Sequence, residues 1–104
     1  MQGKKRWIAA GLLLAGTAQA DWREQCAQLG EFAEMVMQHR QNGATMAQQM
    51  QALHNAGGSQ LGENLVIQAY RQPRQPTARS RTEAVEEFAS AAYLECVQRL
   101  RADR

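Results

Sequence analysis

The sequence has few of the residues from which catalytic sites are built. It contains two histidines and three serines, and none of them stands in a GxSxG, HExxH or P-loop pattern. It also lacks CxxC and CxxCH, the patterns of thiol redox centres and of covalent haem attachment. Two carboxylate pairs, Glu31 with Glu34 and Glu83 with Glu87, are interpreted as solvated helix faces, because nothing around them indicates burial. We therefore predict that the protein is not an enzyme and has no cofactor.

Basic charge is scarce beyond the first twenty residues. The chain has twelve lysines and arginines and ten acids, but three of the basic residues lie at positions 4–6. The balance after residue 20 is therefore 9 − 10 = −1, and no lysine follows residue 5. This balance excludes a generally basic nucleic-acid binder.

The start of the chain has the pattern of an export signal. The basic residues 4–6 precede an apolar stretch at 7–16, which is too short for the ~20 residues of a transmembrane helix. Small residues flank position 19 in Ala-Gln-Ala, so we predict a cleaved signal peptide at 1–20 and a single helical domain at 21–104. Thr17 stands where a lipoprotein would have cysteine, so we expect a soluble periplasmic or secreted product. An uncleaved amphipathic anchor is the alternative.

The two cysteines, Cys26 and Cys96, nearly bracket the predicted domain of 104 − 20 = 84 residues. In an oxidising compartment, two thiols in a small domain indicate one disulfide. The ring would span 70 residues, for which chain entropy predicts a stabilisation of about 4 kcal/mol. Two free thiols, a shared metal site or a redox pair are the alternatives.

Helical periodicity and capping residues divide the domain into segments. Asp21 and Glu24 resemble a capping box, and the apolar spacing that follows predicts a first helix over 22–41. Thr45 and Gln48 repeat the signature and predict a second helix over 46–55, which ends at a pair of glycines.

A third helix is predicted to begin after Ser59 and to end before Pro73. Ser80 and Glu83 are interpreted as the start of the last helix, which carries a wide apolar stripe. No segment alternates like a strand. The sequence therefore predicts an all-α fold, a small up-down bundle of about four helices closed by one disulfide, in which both cysteines lie at the same end.

Methionine and histidine provide one candidate site. Met46, Met50 and His54 share a face of the second helix, and Met35 and His39 lie near the end of the first. Thioether and imidazole ligands suit Cu(I), so copper is the alternative cofactor. The competing interpretation is that the methionines fill gaps in an alanine-rich core.

Arginine provides a second candidate site. Four arginines lie around the two prolines, and no acid falls between residues 63 and 83. They are Arg71, Arg74, Arg79 and Arg81. Guanidinium groups suit an anionic partner, although a solvated charged linker fits the same composition. Nucleic acid is not expected, because the stretch has no aromatic residue that could stack on bases.

The layout of an early cysteine, Ala69-Tyr70 before Pro73, and Tyr93-Leu94-Glu95-Cys96 resembles small exported proteobacterial proteins of uncharacterised function. The resemblance implies an all-helical secreted domain and assigns no functional residue.

We therefore expect a non-enzymatic binding or interaction module, with an unknown protein or an anionic molecule as its partner and no membrane span. A periplasmic Cu(I)-binding protein is the alternative. A periplasmic chaperone or inhibitor is a third class, which would need an exposed apolar groove.

Overall fold

Four helices make up the fold. The computed structural model describes the backbone of residues 3–102 and the side chains of residues 21–101. The helices are α1 (Gly3–Gln41), α2 (Met46–Asn55), α3 (Gln60–Tyr70) and α4 (Ala78–Ala102). No strand occurs within this described part of the chain. The predicted all-α class and the number of helices are confirmed.

Helix α1 ends where the sequence predicts but begins much earlier. It runs without a break from Gly3, so Asp21 lies inside the helix and the capping start predicted there is wrong for the full chain. The alanine-rich stretch before Asp21 favours helix, which explains the continuity. At the other end Gly43 adopts a φ of 99°, which ends the helix. The side chains of the predicted signal peptide lie outside the described residues.

Local capping sets the bounds of the two short helices. The Thr45 hydroxyl accepts from the Gln48 amide at 3.1 Å, and the Gln48 side chain accepts from the Thr45 amide at 2.8 Å. The Ser59 hydroxyl accepts from the Gly62 amide at 3.0 Å and caps α3. These three capping contacts confirm the predicted starts, and positive φ at Gly57 and Gly58 separates the two helices.

Helix α4 begins earlier than predicted. The Thr77 hydroxyl accepts from the Ser80 amide at 3.0 Å, and the Thr77 amide donates to the Ser80 hydroxyl at 3.2 Å. Ser80 therefore occupies the third helical position, where a glutamate or glutamine would complete the usual box. The interpretation of Ser80 as the cap is wrong, because Thr77 directly after Pro76 has the same capping capacity.

The disulfide joins the two long helices. Cys26 and Cys96 are bonded, with their Cα atoms 5.5 Å apart. Gly30 faces Ala89 and Tyr93, so α1 and α4 run antiparallel. The predicted bridge and its position at one end of the bundle are confirmed.

The core lies where α3 and α4 pack against the C-terminal part of α1. Nine apolar residues form it: Ala33, Val36, Met37, Leu65, Val66, Ala69, Val85, Phe88 and Ala92. Helix α2 covers it with Met50 and Leu53, which are only partly buried. Met46, Leu61 and Tyr93 are large apolar residues of α2, α3 and α4 that remain exposed. Part of the apolar surface of the helices is therefore exposed to solvent.

None of the helices, over the residues described, has an apolar stretch long enough to cross a bilayer.

Candidate binding groove

An open groove lies between α3 and α4, with α1 as its floor. Its volume is about 630 Å³, within the roughly 300–1,000 Å³ typical of ligand sites. The apolar lining includes Leu29, Phe32, Leu53, Leu61, Leu65, Ala92 and Leu100. Leu61 is 47% exposed, a large fraction for a leucine that faces a cavity. We call this feature the α3–α4 groove.

The rim of the groove is polar and almost without net charge. Gln25 and Gln28 from α1 and Asn64 and Gln68 from α3 surround the apolar floor. On the α4 side, Arg99 and Glu95 form an ion pair at 3.0 Å that cancels their charges. Amides both donate and accept hydrogen bonds, so this rim suits a partner that offers polar groups around an apolar face.

The groove continues along α4. A smaller cavity of about 300 Å³ shares Leu65, Gln68, Ala92 and Glu95 with the first. It extends the lining towards the α3–α4 loop of residues 71–77, which contains Pro73 and Pro76 and is called the proline loop below. The lining reaches Gln72 on the α3 side and Glu87 on α4. The α4 wall thus reaches from residue 87 to residue 100, or roughly 20 Å at a rise of 1.5 Å per residue.

The groove exists because its two walls both pack on α1 but not closely on each other. Helix α4 packs on α1, whereas α3 packs on α1 and α2. Within the described residues, α3 and α4 do not pack closely against each other. The disulfide ties the α4 wall to the floor. Gly62 allows the α3 wall to pack closely on α2. A Cβ atom at this position would lie only 3.1 Å from the Leu53 side chain. Glycine is a poor helix former, but at this position its missing side chain permits the close packing.

Two buried glutamines, which sequence reasoning missed, hold the loops next to the groove. Gln41 is 1% exposed; its amide donates to the Pro73 carbonyl at 3.1 Å and accepts from the Gln75 amide at 2.7 Å. Gln49 donates to the Val36 carbonyl at 3.0 Å and to the Tyr70 hydroxyl at 2.8 Å. The buried amide groups of both side chains therefore have hydrogen-bond partners, as burial requires.

The signal for these glutamines was their position on an apolar face. Gln41 follows Met37 by four residues, and Gln49 precedes Leu53 by four. The Tyr70 hydroxyl completes the second set by donating to the Ala44 carbonyl at 2.6 Å. Arg40 stacks on the Tyr70 ring, with its guanidinium carbon 4.9 Å from the ring centroid. The network therefore holds α2, α3 and the proline loop against the end of α1.

The predicted arginine cluster has mixed surroundings. Arg74 donates to the Gln41 carbonyl at 2.7 Å, and Arg81 donates to the Gln75 carbonyl at 2.9 Å. Arg79 and Glu83 form an ion pair at 3.5 Å. Arg71 is exposed at the end of α3. Two of the four guanidinium groups thus bond to carbonyls around the loop, and anion binding by the cluster stays a prediction.

The predicted copper ligands differ in exposure. Met46 and His54 are exposed at the two ends of α2, whereas Met50 packs against the core. Met35 and His39 are exposed on α1. Among the described side chains, no three histidines, cysteines or carboxylates gather as a metal site would require. The thioether groups of methionine are a different kind of ligand, so copper binding stays a prediction.

The carboxylate pairs noted in the sequence are solvent-exposed. Glu31 and Glu34 lie exposed on α1, and Glu83 and Glu87 lie exposed on α4.

Comparison of the chain with protein-family models, with curated proteins and with solved structures finds no match. The functional assignment therefore depends on the groove and its surroundings.

Proposed function

We propose that this protein is an exported, non-enzymatic binding module that captures a partner in the α3–α4 groove. The observation that carries the proposal is the open apolar groove of about 630 Å³ with its amide rim. A periplasmic chaperone or inhibitor requires such a groove, so a binding role of that kind is the one that this geometry supports best.

Two further observations support the proposal. The buried polar groups of the fold, Gln41 and Gln49, are engaged with structural partners, so they serve packing. The disulfide stabilises the α1–α4 pair in an oxidising compartment and fits export to the periplasm or the medium.

Burial of apolar area supplies most of the free energy of binding in this proposal. Leu61 is about half exposed in the absence of a partner, and complete burial of a leucine side chain is worth about 1.5–3 kcal/mol. A partner that covers Leu61 and the adjacent floor gains several such contributions, whereas the amide rim supplies orientation.

Site-specific photo-crosslinking of the full protein, expressed in its own host, tests the proposal. Gln28 on the groove rim and Gln38, outside the groove lining on the same helix, are both exposed glutamines. We expect p-benzoylphenylalanine at position 28 to yield a defined adduct and the same group at position 38 to yield none. Equal adducts at both positions, or no adduct at either, would contradict the proposal.

A second pair of variants shows whether the apolar surface drives capture. Leu61→Glu places a charge in the groove, and Leu94→Glu places one on a leucine of α4 that is 55% exposed outside the groove lining. Both sites are exposed, so both variants should fold. We expect Leu61→Glu to abolish the position-28 adduct and Leu94→Glu to retain it; equal effects of the two would contradict a groove-specific interaction.

A further inference from the structure

The shape of the α3–α4 groove indicates the kind of segment that fits it. Its walls are two helices and its floor is a third, so it resembles the space that one more helix of a bundle would fill. Its length of roughly 20 Å corresponds to about 13 helical residues, or between three and four turns. Helices recognised in grooves of this type present apolar anchors at i, i+3 or i+4, and i+7.

An extended peptide fits the groove less well. Strand addition needs a sheet edge with open backbone groups, and the described residues contain no strand. Apart from the α2–α3 turn at Ala56, Gly58 and Ser59, the lining belongs to helices, whose backbone groups are bonded within the helix. An occupant that satisfies its own backbone groups, as a helix does, therefore fits these walls best.

Charge along the α4 wall indicates the polarity of the occupant. Glu87 and Glu95 both line the smaller cavity, and Glu95 is already paired with Arg99. Glu87 forms no ion pair among the side chains of residues 21–101. On the opposite wall, the described side chains that line the same cavity are Leu65 and the amides of Gln68 and Gln72, which carry no charge. Among the side chains of residues 21–101, the one uncompensated charge of the groove is thus negative, and it lies at the end next to the proline loop.

The same charge pattern disfavours an anionic amphiphile such as a fatty acid. Its carboxylate would need a cation at the rim, and the rim arginine, Arg99, already bonds to Glu95. A cationic side chain on one flank of a helix would instead meet Glu87.

From this geometry we propose that the occupant is an amphipathic α-helix of three to four turns with a basic residue on the flank that faces Glu87. This inference rests on the proposed function and names the partner class of the same site. It predicts that binding depends on the sign of the charge at position 87.

Two matched synthetic peptides test the inference. Each is a 14-residue lactam-locked helix with leucines at i, i+4, i+7 and i+11; one carries lysines on a flank and the other carries glutamates. Binding to the natively secreted, oxidised protein is followed by amide chemical shifts in NMR. We expect the lysine peptide to shift groove resonances, including that of Leu61, and to bind more tightly than the glutamate peptide.

Charge reversal in the protein provides the matched control. Glu87→Lys should weaken the lysine peptide about two- to fivefold, as an exposed ion pair implies, and should strengthen the glutamate peptide. Glu86→Lys, at an exposed neighbour outside the groove lining, should change neither peptide. Equal binding of both peptides, or equal effects of the two variants, would overturn the assigned polarity.

Failure of this inference is distinguishable from failure of the proposed function. If neither peptide shifts groove resonances while position 28 still crosslinks, the helical partner class is wrong and the binding groove stands. Groove shifts with sodium dodecanoate but with neither peptide would also overturn the helical assignment. Absence of the position-28 adduct would overturn the proposed function itself.

Discussion

The disulfide between Cys26 and Cys96 should supply a large part of the stability of this protein. Replacement of both cysteines by alanine removes a ring of 70 residues from the unfolded chain. The chain-entropy model assigns about 4 kcal/mol to a ring of that size. Domains of this kind have a total stability of ~5–15 kcal/mol. The double variant should therefore be marginally stable, since the core has only nine buried apolar residues and three of them are alanines.

The effect on melting follows from the same figure. In a domain of 60–100 residues, 1 kcal/mol corresponds to about 4–8 °C, so the double variant should melt about 16–32 °C below the oxidised protein. The measurement is thermal unfolding followed by circular dichroism, with and without reductant. Reductant should lower the melting temperature of the wild type to that of the Cys26→Ala/Cys96→Ala variant and should leave the variant unchanged.

Two results would refute this reasoning. One is a double variant that melts within about 5 °C of the oxidised wild type, which corresponds to about 1 kcal/mol or less. The other is alkylation of both cysteines, without prior reduction, in protein isolated from its own host under non-reducing conditions. Either result would mean that packing of α1 on α4 holds the bundle closed without the covalent bond.

Three further predictions concern the glutamine network, the α2–α3 contact and the methionines. Gln41→Leu should lower the free energy of unfolding by about 1–3 kcal/mol in urea titrations, because it leaves the Gln75 amide without its partner; an unchanged midpoint would contradict this. Gly62→Ala should destabilise the fold by about 1 kcal/mol, because overpacking against Leu53 (about 1–3 kcal/mol) outweighs the gain in helix propensity (about 1 kcal/mol); greater stability would show that Leu53 moves aside. Met50→Leu should leave the Cu(I) affinity unchanged in anaerobic titration, because Met50 packs on the core; a weaker affinity would establish the copper alternative.

The helix ends that follow from short-range contacts were predictable. The caps at Thr45 and Ser59 each use an amide three residues away, so the sequence pattern contains both partners. The start of α4 was misplaced because Thr77 and Ser80 both have capping hydroxyls, and only the structure shows which hydroxyl lies before the first turn. The start of α1 was misplaced because a cap-like residue inside an alanine-rich stretch does not interrupt a helix.

The apolar stripes predicted which helix faces turn inward, but not how completely each residue is buried. Leu61 and Tyr93 share stripes with buried residues and are still about half exposed. Exposure depends on what the neighbouring helix covers. From the sequence, an exposed apolar groove is therefore known only as something that a chaperone or inhibitor would need. Its walls can be identified only when the positions of the helices are known.

The all-helical class, the division into four helices and the pair of thiols that closes the bundle could all be predicted from residue types and from spacings of a few residues. The separation of α3 and α4 over a floor from α1 could not, and neither could the bond from Gln41 to a loop more than thirty residues away. Such contacts depend on how helices are placed in space, and no short-range pattern records that placement.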